Sequence, residues 1–135
     1  MNILKDFIKS NAIDVISVSE EQILQAQQIL KLDFDTDYLS YLQICGQLEF
    51  EYLEFYGLGV NPNSHLNVIK IYSLLKENDT YPKKALPLLD LGDGHYSIYD
   101  IETGSVLEWT KDGLVGQLSQ DLEQYLLNTL NQVKA

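Results

Sequence analysis

The sequence predicts an α+β fold, with helices at both ends of the chain and an antiparallel sheet between them. Three observations lead there. The apolar period is helical up to Gly46, becomes two from Leu48, and is helical again beyond residue 119. Two glycine turns, Gly92-Asp93-Gly94 and Glu102-Thr103-Gly104, cut residues 85–110 into the strands of a β-meander. No internal repeat, low-complexity tract or Pro/Gly/Ser-rich linker interrupts the chain, so its 135 residues are expected to form one domain, 1–135.

The elements follow in order. Leu4, Phe7 and Ile8 mark a short amphipathic helix ending near Ser10-Asn11. Ser19 with Gln22 three residues on reads as a capping box, and Ile23, Ala26 and Leu30 follow at helical spacing. A third helix is expected from about Asp35, with Asp37 near the positive end of its dipole. Tyr38, Leu39, Tyr41, Leu42 and Cys45 form its apolar face, and Gly46 closes it. Leu48, Phe50 and Tyr52 then alternate with Glu49 and Glu51 as a half-exposed strand with its acids outward. The phase slips at Tyr52-Leu53, which calls for a bulge or a tight turn. After Gly57, Gly59 and Asn61-Pro62-Asn63, a fourth helix carries Val68, Ile71, Tyr72 and Leu75 on one side. The meander places strands at 86–91, 95–101 and 105–109, with Pro87 putting the first at an edge or a strand start. A last helix is expected over 119–133, burying Leu122, Tyr125, Leu126 and Leu130.

Charge narrows the function. Twenty acids face nine lysines and no arginine, a formal net charge of −11. Duplex affinity depends on neutralising phosphates, and arginine is the usual residue for forked phosphate recognition, so nucleic acid and anionic membrane surfaces are excluded as partners. No apolar run approaches the ~18 residues of a membrane span. The first ten residues hold Asp6 among short apolar steps, unlike a secretory signal, and the single cysteine, Cys45, allows no internal disulfide; cytoplasm is the expected compartment. The net charge is also localised. Asp33, Asp35, Asp37, Glu49, Glu51 and Glu54 lie between Lys31 and Lys70, and Asp90, Asp93, Asp100, Glu102 and Glu108 lie between Lys84 and Lys111. The remainder of the chain balances nine acids with nine lysines. If the two acidic segments fold side by side, they make a directed field.

Catalysis finds little support. Cys45 sits on the apolar side of a helix end, which is the place of a structural thiol. His65 and His95 belong to turn positions, and the pairing of Asp93 with His95 is explained by the turn that holds both. Two histidines thirty residues apart and a distant cysteine lack the ligand spacing of a zinc site. Residues 90–94 lack the third-position ligand and closing glutamate of a calcium loop. Neither Gly57-Leu58-Gly59 nor Gly92-Asp93-Gly94 is long enough for a phosphate-binding loop. No enzyme activity, metal or cofactor is expected. Nine tyrosines and Trp109 instead supply the residue types favoured as interface anchors, with Tyr52, Tyr56, Tyr96, Tyr99 and Trp109 in or beside the acidic segments.

Two stretches carry a family likeness. Residues 19–46 read S-E-E-Q-I-L-Q-A-Q-Q-I-L-K-L-D-F-D-T-D-Y-L-S-Y-L-Q-I-C-G, and residues 86–109 read L-P-L-L-D-L-G-D-G-H-Y-S-I-Y-D-I-E-T-G-S-V-L-E-W. In order and spacing they resemble the SUKH superfamily, in particular its Smi/Knr-like branch. That branch shows a capped helix, a Tyr-x-x-Leu helix ending in a Gly turn, an L-P strand, a G-D turn, a Y-x-x-D strand and a G-x-V strand. The chain departs from the pattern at Phe34-Asp35, where the family often has Leu-Pro, and at Gly46-Gln47, where it often has a Gly pair. The resemblance implies a curved, mixed or antiparallel sheet flanked by helices, no known catalytic residues, and a role in binding another protein. Bacterial relatives look largely like immunity proteins that counter toxins, often nucleases; fungal ones are linked to cell-wall synthesis and signalling. A basic toxin domain is therefore the expected partner, met by Glu49, Glu51, Glu54, Asp90, Asp93, Glu102, Glu108 and Trp109. A regulatory adaptor or scaffold of the same fold is the second reading. For the acidic residues to act together, the Glu49/Glu51 strand and the 96–109 hairpin are expected to share one sheet and one face.

Overall fold

The computed structural model describes residues 1–134; Ala135, the last residue of the expected domain, lies outside them. The elements run α1 (Asn2–Ser10), α2 (Glu20–Leu30), α3 (Thr36–Cys45), β1 (Glu49–Phe50), β2 (Leu53–Glu54), α4 (Val68–Leu75), β3 (Ala85–Gly92), β4 (His95–Asp100), β5 (Ser105–Thr110), β6 (Gly113–Ser119) and α5 (Leu122–Val133). The protein is α+β, with a four-stranded antiparallel sheet in the order β3-β4-β5-β6 and a separate two-stranded hairpin, β1-β2.

Helix starts follow local chemistry. Ser19 accepts from the Gln22 amide while the Gln22 side chain accepts from the Ser19 amide, the reciprocal box that two otherwise unpaired donors require. Asp35 caps α3 by accepting from Tyr38 N, Asn67 caps α4, and Asp121 caps α5. The last cap corrects the expected start of the final helix: Ser119 ends β6, and Asp121 stands before the helix instead of inside its first turn. Gly46 takes φ +64° at the end of α3, where an added Cβ would stand 2.3 Å from the Ile16 carbonyl oxygen.

The strand expected from Leu48 to Tyr52 is shorter than its alternation implies. Glu51, at φ +54°, turns the chain after Phe50, and the phase slip at Tyr52-Leu53 is a tight turn. Three residues in a row then have positive φ at 92–94, closing β3 onto β4. β6 was not anticipated. Two register shifts break its pairing with β5, so its apolar residues never alternate cleanly.

Both faces of the four-stranded sheet are covered. On one, Tyr96 and Trp109 are cross-strand partners, as are Ile98 and Leu107. Trp109 packs edge-on to Tyr81 at 5.0 Å, and Tyr81 edge-on to Tyr72 of α4 at 6.0 Å. On the other, Tyr99 pairs with Val106 and stacks on Tyr38 of α3 at 6.2 Å, while α5 lies across β5 and β6. The buried side chains of these layers form one cluster. Trp109 is 1% exposed and donates its indole N–H to Thr80. It is a core residue, which corrects its expected role as a partner contact: the ring is already spent on the sheet–α4 layer.

Candidate functional site

The β1-β2 hairpin is too short to join the large sheet, so the expected single sheet does not form. It is nevertheless tied to β3. Phe55 N donates to Leu48 O, and Tyr56 N donates to Leu88 O at 2.9 Å, so the chain leaving β2 runs beside the outer edge of β3. Tyr41 donates its hydroxyl to Tyr56 O at 2.7 Å and pins the same segment from below. Gly57 makes this crossing possible, since a Cβ there would lie 2.1 Å from Gly46 O.

The eight residues expected at a partner surface are divided by this arrangement. Glu49 and Glu54 face each other across the hairpin, and Glu51 sits in its turn. Asp90 lies near the end of β3, paired in register with Tyr96, and accepts from Gly92 N at 2.8 Å. Asp93 occupies the β3–β4 turn at the same end. Glu102 is in the β4–β5 turn, a strand of six residues away, or about 20 Å. It shares a hollow there with Lys31, Asp33 and Lys84. Glu108 is on the opposite face of the sheet, paired with His95 Nδ1. His95 therefore bonds Glu108 and not Asp93, because both project from the α5 side of β4 and β5.

What the fold gathers is a smaller set: Glu54 on the hairpin and Asp90 on β3 beside Tyr56 and Tyr96, with Glu49 facing Glu54 and Glu51 in the hairpin turn. Tyr52 stands 79% exposed at the hairpin turn. Tyr56 is buried along its ring, and its phenol pKa is raised, first by burial and then by the nearby Tyr96 hydroxyl and the Asp90 and Glu54 carboxylates. Tyr96 is half-buried and is raised by the same two causes, burial first and Asp90 second. Both phenols are thus neutral at physiological pH. Composition pointed to tyrosines beside the acidic segments, but only the Tyr56–Leu88 bond brings Tyr56 and Tyr96 to one place.

A second acidic locus lies at the other end of the sheet. Tyr99 donates its hydroxyl to Asp35, with Asp37 and Asp121 near enough to raise its pKa further, after burial and the Asp35 bond. These carboxylates serve two helix caps and a buried tyrosine, so their role is in the fold.

The charges are largely uncompensated. Among the described residues the one ion pair within 4.0 Å is His95–Glu108, and no lysine is paired with a carboxylate. Among them, too, no group of three or more His, Cys, Asp or Glu side chains is placed to hold a metal ion. Cys45 is buried, and burial pushes its thiol up to about 12, which holds it as the unreactive thiol. A groove of about 410 Å³ between α2 and α4 is lined by Gln22, Ala26, Ile29, Leu58, Val60 and Ile69 and carries no carboxylate. No helix among the described residues is long and apolar enough to cross a membrane.

A four-stranded antiparallel meander backed by capped helices, with an acidic hairpin leaning on its first strand, is the SUKH type of α+β domain. The chain belongs to the family described as SMI1-KNR4 cell-wall (SUKH_5), whose model matches residues 1–131. Among solved structures it is similar to a protein from Pseudomonas syringae pv. tomato, at 16% identity and a TM-score of 0.69, covering 82% of this chain and 84% of that one. At that identity the likeness is one of fold. Among curated proteins, none matches the chain.

Proposed function

We propose that the chain is a non-enzymatic immunity protein that binds and neutralises a basic toxin domain, a nuclease being the activity that best fits its charge. It works in the cytoplasm as one domain over 1–135 and needs no cofactor. The observation that carries this reading is the unpaired acidic surface. Glu49, Glu51 and Glu54 lie on one hairpin, and Glu54 shares the surroundings of Tyr56 with Asp90, without a single lysine partner among the described residues. A nuclease presents a positive, phosphate-seeking site, and an uncompensated negative surface steers towards such a site and occludes it. Membership of the SMI1-KNR4 family agrees with a protein-binding role.

The test is co-expression with the product of the adjacent gene. Growth should be rescued by this chain and not by a variant carrying Glu49, Glu51, Glu54 and Asp90 all as lysine. That folded variant should associate with the toxin domain more slowly by about ten-fold or more at low salt, and the difference should shrink as salt rises. Reversing Lys5 and Lys9 should leave the rate unchanged. Binding without rescue would favour the adaptor reading, and an unchanged rate in the lysine variant would dismiss the acidic surface.

A further inference from the structure

Tyr56 is the odd member of the acidic surface. Its backbone is fixed on both sides, by Leu88 O and by the Tyr41 hydroxyl, and the residue is only 5% exposed. Yet its own hydroxyl has no hydrogen-bond partner among the described residues, although the Asp90 and Glu54 carboxylates are close enough for their charge to act on it. Among the described residues the orphan hydroxyls sealed from solvent are those of Tyr38 and Ser97, so the Tyr56 hydroxyl keeps some contact with solvent. Tyr96, cross-strand from Asp90, adds a second phenol to the same spot. Beside it Glu54 faces Glu49 directly across the hairpin, a like-charge pair that costs stability and is kept without a cation.

We propose that Tyr56, Tyr96, Glu54 and Asp90 form the seat for one lysine or arginine side chain of a protein partner. The two carboxylates are pure acceptors, and each neutral phenol accepts at its oxygen while its O–H can turn to a neighbouring carboxylate; an ammonium or guanidinium supplies several donors and no acceptor. The guest's charge also relieves the Glu49–Glu54 repulsion. The rigid backbone at Tyr56 means that little ordering is left to be done on binding. A metal ion is a poorer occupant, because no group of three or more metal-ligating side chains is gathered among the described residues and both phenols are held protonated. This seat rests on the partner being basic, as proposed above, and supplies the contact at which steering ends.

The experiment titrates the full chain with acetyl-Gly-Lys-Gly-amide, its arginine analogue and its norleucine analogue, read by backbone amide shifts. The cationic peptides should give saturating shifts confined to Glu54, Tyr56, Asp90 and Tyr96, and the norleucine peptide none. Tyr56→Phe, and separately the surface change Asp90→Asn, should each weaken binding by about ten-fold, the loss of one charge-assisted contact. Shifts of equal size at Asp33, Asp37 and Asp112, equal binding of norleucine, or unchanged affinity in folded Tyr96→Phe and Asp90→Asn variants would each overturn the seat. The two readings fail separately. A toxin domain that binds Asp90→Asn and Tyr56→Phe as tightly as it binds the original chain removes the seat alone. A localised lysine site in a chain that protects no cell removes the immunity reading alone.

Discussion

Single side chains show how tyrosine divides its labour in this protein. Tyr38, Tyr41, Tyr81 and Tyr99 are buried, and burial is the first cause that raises each phenol above its ordinary 10.0. Tyr99 is held further by its bond to Asp35. The sign of the linkage follows. In the unfolded chain these phenols lose protons near pH 10, whereas the native state keeps them, so their contribution is intact below that pH and is lost above it. The urea midpoint should therefore stay flat from neutral pH to about pH 10 and fall steeply beyond, in step with the appearance of tyrosinate absorbance. Tyr99→Phe should make that fall shallower. A midpoint that held steady while tyrosinate appeared would show that these rings ionise in the native state. Trp109 belongs to the same lesson. Its residue type is that of an anchor, but type does not tell a core from an interface, and only the partners Thr80, Tyr81 and Tyr96 decide it.

At the scale of elements, what could be read from the sequence was whatever is local. The capping box at Ser19, the start of α3 near Asp35, the meander turns and the faces of α2, α3 and α5 all depend on residues within a turn or two of each other, and each is found where it was expected. Two elements escaped for physical reasons. β6 is an edge strand whose bulges scramble the period of two, and β1 ends early because a turn at Glu51 needs a positive φ that glutamate does not advertise. The candidate site was half legible: the acidic segments were visible, but their meeting rests on a long-range bond, Tyr56 to Leu88, and on a crossing of two glycines. That crossing makes a sharp prediction. Gly57→Ala puts a methyl group 2.1 Å from the Gly46 carbonyl oxygen, where backbone must move, and should cost about 2–3 kcal/mol by chemical denaturation. Gly116→Ala, with open space around it and no positive φ, should change stability by about 0.5 kcal/mol or less. Equal costs at the two positions would mean that the crossing is slack.

For the whole molecule, the net charge of −11 acts on something other than a partner. β6 closes the sheet with an open hydrogen-bonding edge, carries no charged residue between Gly113 and Ser119, and leaves Leu114, Val115 and Leu118 exposed. Apart from its bulges, it lacks the lysine or proline with which edge strands usually discourage a neighbour. Repulsion between copies does that work at a distance, over the ~10 Å reach of charge in ordinary salt. Light scattering should accordingly report self-association as salt rises or as pH falls towards the isoelectric point near 4.3, and Val115→Lys should suppress it. Scattering that was indifferent to both salt and Val115→Lys would place the guard elsewhere. The free chain is in this sense a colloid kept dispersed by its own counter-ion cloud. If the proposed basic partner neutralises the hairpin, it disperses that cloud as well, so the saturated complex, not the free chain, would be the species whose shelf life its bare edge limits.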